Sequence, residues 1–331
     1  MATIRDVAKL AGVAVSTVSK VINKYPNVSE ETAIRVNKAI EELGFTPNVV
    51  AASLSSKQSG RVGLLINTDI QTSAIDEISM QYLKGALHKA QELHIEVVPI
   101  FFSMLEGMDE AETEKFLKSQ NIKGLVIYGM SKDDYVLQRV IAREQFKCVL
   151  IDVPIINDSC SYIGIDHRQA QKDVARKTVM ENNTFNGQVL YISGKKNGYV
   201  SDDRLQGMLE LAQELELAVS LHCGEFSEKK AREITFKYGS MHDIIICASD
   251  MMAIGAMRAL TEMDIFRPVC GFDGISLMGY AGKQMNTVKQ NFYDISAEAV
   301  AECSRLMGGS LGRKIVAPHE LVRIEYLDMI V

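Results

Sequence analysis

The chain has 331 residues, 47% of them hydrophobic and 24% charged, with a formal net charge of −6. That length exceeds one ordinary core and suits two or three domains, and the composition is that of a globular protein in water. No apolar run approaches the roughly 20 residues that cross a bilayer, and the negative total excludes a uniformly basic nucleic-acid binder, so how the charge is distributed matters more than its sum.

The opening MATIRDVAKL carries Arg5, Asp6 and Lys9 where a secretory leader needs an uninterrupted apolar core, so a cytoplasmic location without a membrane partner is expected. Ile4, Val7, Ala8 and Ala11 recur at i, i+3, i+4 and i+7, the stripe of a short helix. Thr3 is its expected N-cap and Gly12 its end. Val18, Val21 and Ile22 form a second stripe, which Pro26 closes because proline cannot continue a helix. A third helix opens at Ser29, with Thr32 as half of a capping box, and runs through Val36, Ile40 and Leu43 to Gly44.

The first 29 residues hold Arg5, Lys9, Lys20 and Lys24 against Asp6 alone, so a basic head precedes an acidic body. Two helices joined by a tight glycine turn, the second with a polar open face, predict a helix-turn-helix whose second helix enters the major groove. Ser16, Thr17, Ser19, Lys20 and Asn23 stand off the apolar stripe. Val15 and Ser16 lie at the tip, where a valine can meet a thymine methyl and a serine either kind of base edge, and Lys20 can reach guanine or a phosphate. A plain three-helix bundle with a solvated face fits the same periodicity; the local basic charge favours DNA.

The stretch TPNVVAASLSSKQSGR follows, in which Pro47 and Asn48 can start a helix that four serines leave with little apolar surface. Such a helix is marginal alone. From Arg61 onward short β-rich runs alternate with helical ones: RVGLLI, IEVVPIFF, IKGLVIYG, KCVLID, YIGID, GQVLYISG, AVSLHCGE, DIIICAS and PVCGFDG. That alternation predicts an α/β body of two parallel sheets flanked by helices, with ligands at the carboxyl ends of the strands.

Chemical motifs are sparse. The six cysteines are scattered without a CxxC pair, mostly within apolar runs, so neither zinc nor disulfides are expected. SGKKNG at Ser193–Gly198 lacks the spacing of a phosphate-cradling loop and reads as a strand-to-helix turn. Asp202 and Asp203 point in different directions on a helix and suit its positive end better than acid/base work. No HxxxH, HxH or GxSxG pattern is present. An enzyme, a metal and a cofactor are therefore not expected, although a triad assembled from distant positions leaves no such pattern.

The segments TIRDVAKLAGVAVSTVSKVIN, NVSEET, AIEELGFTPN and AASL closely resemble the lactose/galactose repressor (LacI/GalR) family of bacterial transcription regulators. The likeness is densest over residues 2–56 and looser in the body. It implies an N-terminal three-helix helix-turn-helix domain at 1–46 and a hinge helix and linker at 47–60. A two-lobed, periplasmic-binding-protein-like effector-binding and dimerisation core then fills 61–331, with a first lobe of about 61–161 and 292–318 and a second of about 162–291 and 319–331. Thr3 and Ile4 join Val15, Ser16, Thr17, Ser19, Lys20 and Asn23 as DNA contacts by the same resemblance, and Leu54 matches the family's minor-groove wedge. Without that context Leu54 is only the large apolar residue of a polar linker. The expected partners are double-stranded operator DNA, a second copy of the chain, and a small effector: a sugar, a sugar phosphate or a purine.

Asp152, Arg204, Asp273 and Phe292 match effector-contact positions, and Ser249 stands where relatives often have asparagine. Carboxylates and a guanidinium fork suit polyols, and Phe292 can pack on a ligand's apolar face; strand-end carboxylates also commonly cap the next helix, as Asp250 is expected to do. Several positions depart from the family. Ala14 replaces a capping Ser or Thr, at a cost of about 1 kcal/mol, and Ser55 replaces a lysine found in some relatives. NTDIQTSAIDEISMQY replaces NPFF, leaving Thr72, Ser73 and Asp76 as nearby candidates, and KQMNTVKQ lacks the paired prolines. The rival expectation is a sugar-binding protein without a DNA role, whose body would look alike.

Overall fold

A computed structural model describes residues 2–22, 28–45, 60–67, 77–182, 186–281 and 284–324. Asn23, Pro26, Pro47, Asn48, Leu54, Ser55, Thr72, Ser73 and Asp76 lie outside the described residues. The chain divides into two units, Met1–Ser59 and Gly60–Val331.

The first unit holds α1 (Ile4–Ala11), α2 (Val15–Ile22) and α3 (Glu30–Glu42). Thr3 Oγ1 accepts the Asp6 amide at 3.4 Å while the Asp6 carboxylate accepts the Thr3 amide at 2.8 Å, so α1 opens on a complete capping box. Gly12 ends α1 at φ +65°, a left-handed conformation that costs glycine little. Val7, Ala8, Ala11, Val18, Val36 and Ala39 form the buried core, as the apolar stripes require. At the start of α2 the Ala14 carbonyl accepts from the amides of Thr17 and Val18; alanine has no side-chain acceptor to add. Ser29 caps α3 by accepting the Thr32 amide at 3.4 Å, and the two hydroxyls lie 2.8 Å apart.

Among its described residues the second unit contains two six-stranded sheets. The first runs β11-β5-β4-β3-β1-β2 and is parallel throughout: β1 (Arg61–Ile66), β2 (Val97–Phe101), β3 (Ile122–Tyr128), β4 (Lys147–Ile151), β5 (Cys160–Gly164) and β11 (Lys314–Val316). The second runs β12-β10-β9-β8-β6-β7: β6 (Gln188–Ser193), β7 (Ala218–Cys223), β8 (Ile244–Cys247), β9 (Val269–Cys270), β10 (Asn286–Lys289) and β12 (Glu320–Arg323). Among the strands of the described residues, only β12 pairs antiparallel, with β10. Central strands such as LVIY of β3 and IIIC of β8 are buried on both faces, which is why they read as unbroken apolar runs rather than alternating ones.

Helices α4 (Glu77–Glu92), α5 (Glu110–Ser119), α6 (Tyr135–Ala142) and α11 (Phe292–Met307) accompany the first sheet, and α11 lies against α4. α7 (His167–Met180), α8 (Tyr199–Glu214), α9 (Glu228–Tyr238) and α10 (Asp250–Glu262) accompany the second. The chain passes between sheets three times: after Gly164, after Lys289 and after Val316. β5 stays in the first sheet to Gly164, three residues beyond 161. Three connections make two lobes that share one hinge region, with the cleft between them lined by strand carboxyl ends.

All six cysteines are free, and Cys148, Cys160, Cys247, Cys270 and Cys303 are buried as small hydrophobes. Among the described residues, no helix is long and apolar enough to cross a membrane and no group of His, Cys, Asp and Glu could hold a metal ion.

Candidate DNA-reading face and effector cleft

On the first unit, Val15, Ser16 and Lys20 of α2 are exposed, Thr17 and Ser19 half-buried, and Val18 fully buried. The face that carries the expected base and phosphate contacts is therefore open, and the apolar stripe behind it holds α2 on α1 and α3. Thr3 is exposed but engaged in the α1 cap, and Ile4 packs against the head's core.

In the second unit, Asp152 is the first residue after β4. It adopts φ +59°, and its amide donates to the Ile163 carbonyl at 2.9 Å. Gly164 faces it: a Cβ there would come within 2.2 Å of Asp152 Oδ1, so a glycine is required for the carboxylate to sit over β5. Asp273 follows β9 by three residues with φ +126°, and its Oδ1 accepts Gln290 Nε2 at 3.1 Å. Arg204, in the second turn of α8, is only 4% exposed. Its Nη1 donates to the Ala248 carbonyl at 2.5 Å, Nε faces His167 Nδ1 at 3.3 Å, and Nη2 lies 3.3 Å from Asp273 Oδ1. The guanidinium carbon sits 3.7 Å above the Phe272 ring centroid, a cation–π seat.

Asp152, Arg204 and Asp273, from three separate segments, thus belong to one connected group. The link between lobes is His167, whose Nε2 stands 2.9 Å from Asp152 Oδ1. That contact is close but off the line of a hydrogen bond. Asp152 Oδ1, His167 Nε2 and Gln290 Oε1 are buried and lack a directed partner among the described residues. Buried polar atoms in that condition are costly, and a hydroxyl-rich ligand would satisfy them.

Phe292 opens α11, buried, with Tyr82 of α4 edge-on to it at 5.2 Å and Tyr128 at 4.9 Å from Tyr82. This aromatic cluster stands on the first lobe. Ser249 caps α10, accepting the Met252 amide at 3.3 Å. The cap expected of Asp250 therefore belongs to its neighbour: Asp250 is fully buried, its Oδ2 accepts the amides of Gly274 (2.7 Å) and Ile275 (2.9 Å), and its Oδ1 accepts the Thr287 hydroxyl at 2.6 Å. It anchors the loop that carries Asp273.

Burial pushes the carboxyls of Asp250 and Asp273 well above the ordinary carboxylate range, each reinforced by a neighbouring charge in the case of Asp250 and held back by Arg204 in the case of Asp273. Two sets of polar contacts span the lobes away from this group. The Lys132 amide donates to the Asn197 carbonyl at 2.9 Å, Asn197 Nδ2 reaches both Asp133 carboxylate oxygens at 3.2 Å, and the Lys132 ammonium pairs with Asp202. On α4, the Glu77 carboxylate accepts the Ser276 amide and hydroxyl, each at 2.9 Å.

Sequence reasoning did not single out His167, Tyr82, Gln290 or Phe272. His167 shares with Asp152 and Asp273 a place just beyond a strand's carboxyl end, which is the one signal that could have found it.

A three-helix head with an open polar second helix, in one chain with two parallel-sheet lobes and a polar cleft, makes a ligand-sensing DNA-binding regulator. Residues 3–48 match the model of the family described as bacterial regulatory proteins, lacI family. Over 304 residues the chain is 29% identical to the ribose operon repressor of Halalkalibacterium halodurans, covering 90% of this chain and 88% of that one. It is 28% identical to catabolite control protein A of Staphylococcus aureus, covering 98% of each. Its fold is similar to that of the lac repressor dimer bound to operator and the anti-inducer ONPF (TM-score 0.81, 23% identity, 98% of each chain). The regulator CelR in its cellobiose complex is similar as well (TM-score 0.69, 22% identity, 98% of this chain and 100% of that one). The head carries the lacI-family domain over residues 3–48, and the chain is a DNA-binding transcriptional regulator.

Proposed function

We propose that the chain is a repressor that binds a near-palindromic operator as a homodimer and is controlled by a sugar or sugar derivative held between its lobes. The observation that carries the sensing half is the connected group Asp152–His167–Arg204–Asp273, with its unpartnered oxygen and nitrogen. Carboxylates accept from sugar hydroxyls and the guanidinium fork donates to them; Phe292 and Tyr82 add aromatic surface for a ring's apolar face.

In this reading the head spans 1–46, the hinge 47–60 and the core 61–331, and Thr3, Ile4, Val15, Ser16, Thr17, Ser19, Lys20, Asn23 and Leu54 face DNA. Two heads read two half-sites, and the effector changes lobe geometry and hence the spacing of the heads. Ser249 supports the cleft through the α10 cap. The protein acts in the cytoplasm, where operator DNA lies, and no reaction is assigned to the cleft. The names of its relatives support the sugar: ribose for one, cellobiose for another.

Two measurements on the purified chain test this. Binding to selected palindromic duplexes should exceed binding to random DNA and weaken steeply with salt, because phosphate contacts release counterions. A thermal-shift panel of sugars, sugar phosphates and purines should raise the melting temperature with a sugar, by mass action. Equal, weak binding of palindromic and random duplexes removes the operator; a shift with purines alone removes the sugar.

A further inference from the structure

His167 occupies an unusual place. It is the first residue of α7, directly after the first crossing between lobes, and is 2% exposed. Its Nδ1 faces the Arg204 Nε–H of the second lobe and its Nε2 faces Asp152 of the first. Its ring stacks at 28° on Phe272, centroids 5.6 Å apart, the same ring that seats the Arg204 guanidinium.

Resting on the cleft reading above, we infer that His167 is a positioning residue for a sugar effector: it fixes the Arg204 guanidinium and presents, with Asp152, a paired donor and acceptor to one sugar hydroxyl. The chemistry follows from the donor count. An arginine has five N–H groups; here Nε–H goes to His167, one of Nη1 to Ala248 and one of Nη2 toward Asp273. Two remain for a ligand. Because Arg204 Nε–H can only donate, Nδ1 must be the bare nitrogen, which puts the imidazole proton on Nε2, facing Asp152. Nε2–H and Asp152 Oδ1 are 2.9 Å apart yet not aligned with each other, and neither has another partner among the described residues. A hydroxyl is the small group that accepts from one and donates to the other at once.

The side chains that imitate each half of a histidine separate the two roles. His167→Asn keeps an acceptor near Nδ1, His167→Gln keeps a donor near Nε2, and His167→Phe keeps the ring on Phe272 but neither nitrogen. Calorimetric titration of the full chain with D-ribose, D-galactose, maltose and cellobiose gives the readout. For whichever sugar binds the wild type, His167→Phe should weaken binding about 10- to 100-fold, the range of a lost hydrogen bond to a charged group. His167→Asn and His167→Gln should each recover part of that loss. Affinity of His167→Phe within threefold of wild type overturns the inference, as does a melting temperature that falls in all three variants while affinity stays.

A ligand-free measurement stands beside it. In protein labelled with ¹⁵N-histidine, the resonance lost in His167→Gln should report the Nε2–H tautomer wherever the ring is neutral; an Nδ1–H tautomer overturns the inference. If no sugar of the panel binds the wild type, the cleft reading loses its sugar while the tautomer still decides whether His167 holds Arg204.

Discussion

Glu302 of α11 is the test of how the hinge region is held. Its side chain is 0% exposed, yet it is an anion with two cations on it. Oε1 accepts the Ser161 hydroxyl and Arg305 Nη2, each at 2.6 Å; Oε2 accepts Arg305 Nε at 2.8 Å and Arg313 Nε at 3.0 Å. The group ties α11 to β5 and to the segment entering β11, beside two of the three crossings. These partners outweigh burial and hold the carboxyl down at about 2 against an ordinary 4.5. At about 1.4 kcal/mol per pKa unit that gap corresponds to about 3 kcal/mol, discounted to about 2 because both guanidinium groups are partly exposed and screened.

Glu302→Gln should therefore destabilise the folded chain by about 2 kcal/mol at pH 7, or about 3–4 °C in melting temperature for a unit of this size. Circular dichroism in urea is the assay, since the chain has no tryptophan. The sign with pH is set by the lowered folded value: the stabilisation is complete above about 4.5 and is lost as pH falls toward about 2. The difference between wild type and variant should shrink to less than about half by pH 3. A difference that persists undiminished in acid, or none at neutral pH, refutes the account.

Arg204→Ala should abolish the sugar-induced thermal shift while leaving operator binding largely intact; a retained shift removes Arg204 from the cleft. Lys20→Ala should lower the slope of log affinity against log salt by about 1 if the ammonium meets a phosphate, and an unchanged slope assigns Lys20 elsewhere. Lys132→Ala removes a pair whose members are 44% and 51% exposed, so its effect on stability should stay within about 1 kcal/mol. Its effect on shape should be larger in relative terms: without a sugar, small-angle scattering should show wider lobe opening, and an unaltered profile would show that the pair does not hold the lobes.

The helices of the head were legible because each shows a stripe and a stop signal: Val7, Ala8 and Ala11 with Gly12, Val36, Ile40 and Leu43 with Gly44. The central strands were legible as unbroken apolar runs. What escaped was short or polar. NTVK of β10, KIV of β11 and ELVR of β12 carry too few apolar residues to stand out, and only pairing in the sheets makes them strands. The same holds for the cleft. Asp152, Arg204 and Asp273 could be picked out as strand-end and helix-start residues in positions the family resemblance marks, but their mutual contact depends on the crossings. Which of Ser249 and Asp250 caps α10 turns on where one side chain rotates, and Asp6 as partner of Thr3 went unread although three-residue spacing permitted it. His167 had no periodic signal, since a buried histidine joining two lobes has meaning only after both are folded.

Asp152 and Asp273 share a feature that a merely structural carboxylate does not need: both sit at positive φ, +59° and +126°, and strained residues persist only where the surroundings over-determine them. Asp273 is costly in a second way. Burial raises its carboxyl, so the folded chain holds that proton more tightly than the unfolded one, and the fold is weakened as pH rises from the ordinary carboxylate range through the raised value. A sugar hydroxyl donating to Asp273 reverses this, because it favours the charged form and lowers the folded value. Sugar binding should then release protons, and affinity should rise with pH across that interval. Calorimetry in buffers of different ionisation enthalpy counts the protons directly; uptake instead of release, or tighter binding in acid, would mean that the sugar does not receive its hydrogen bond from this carboxylate.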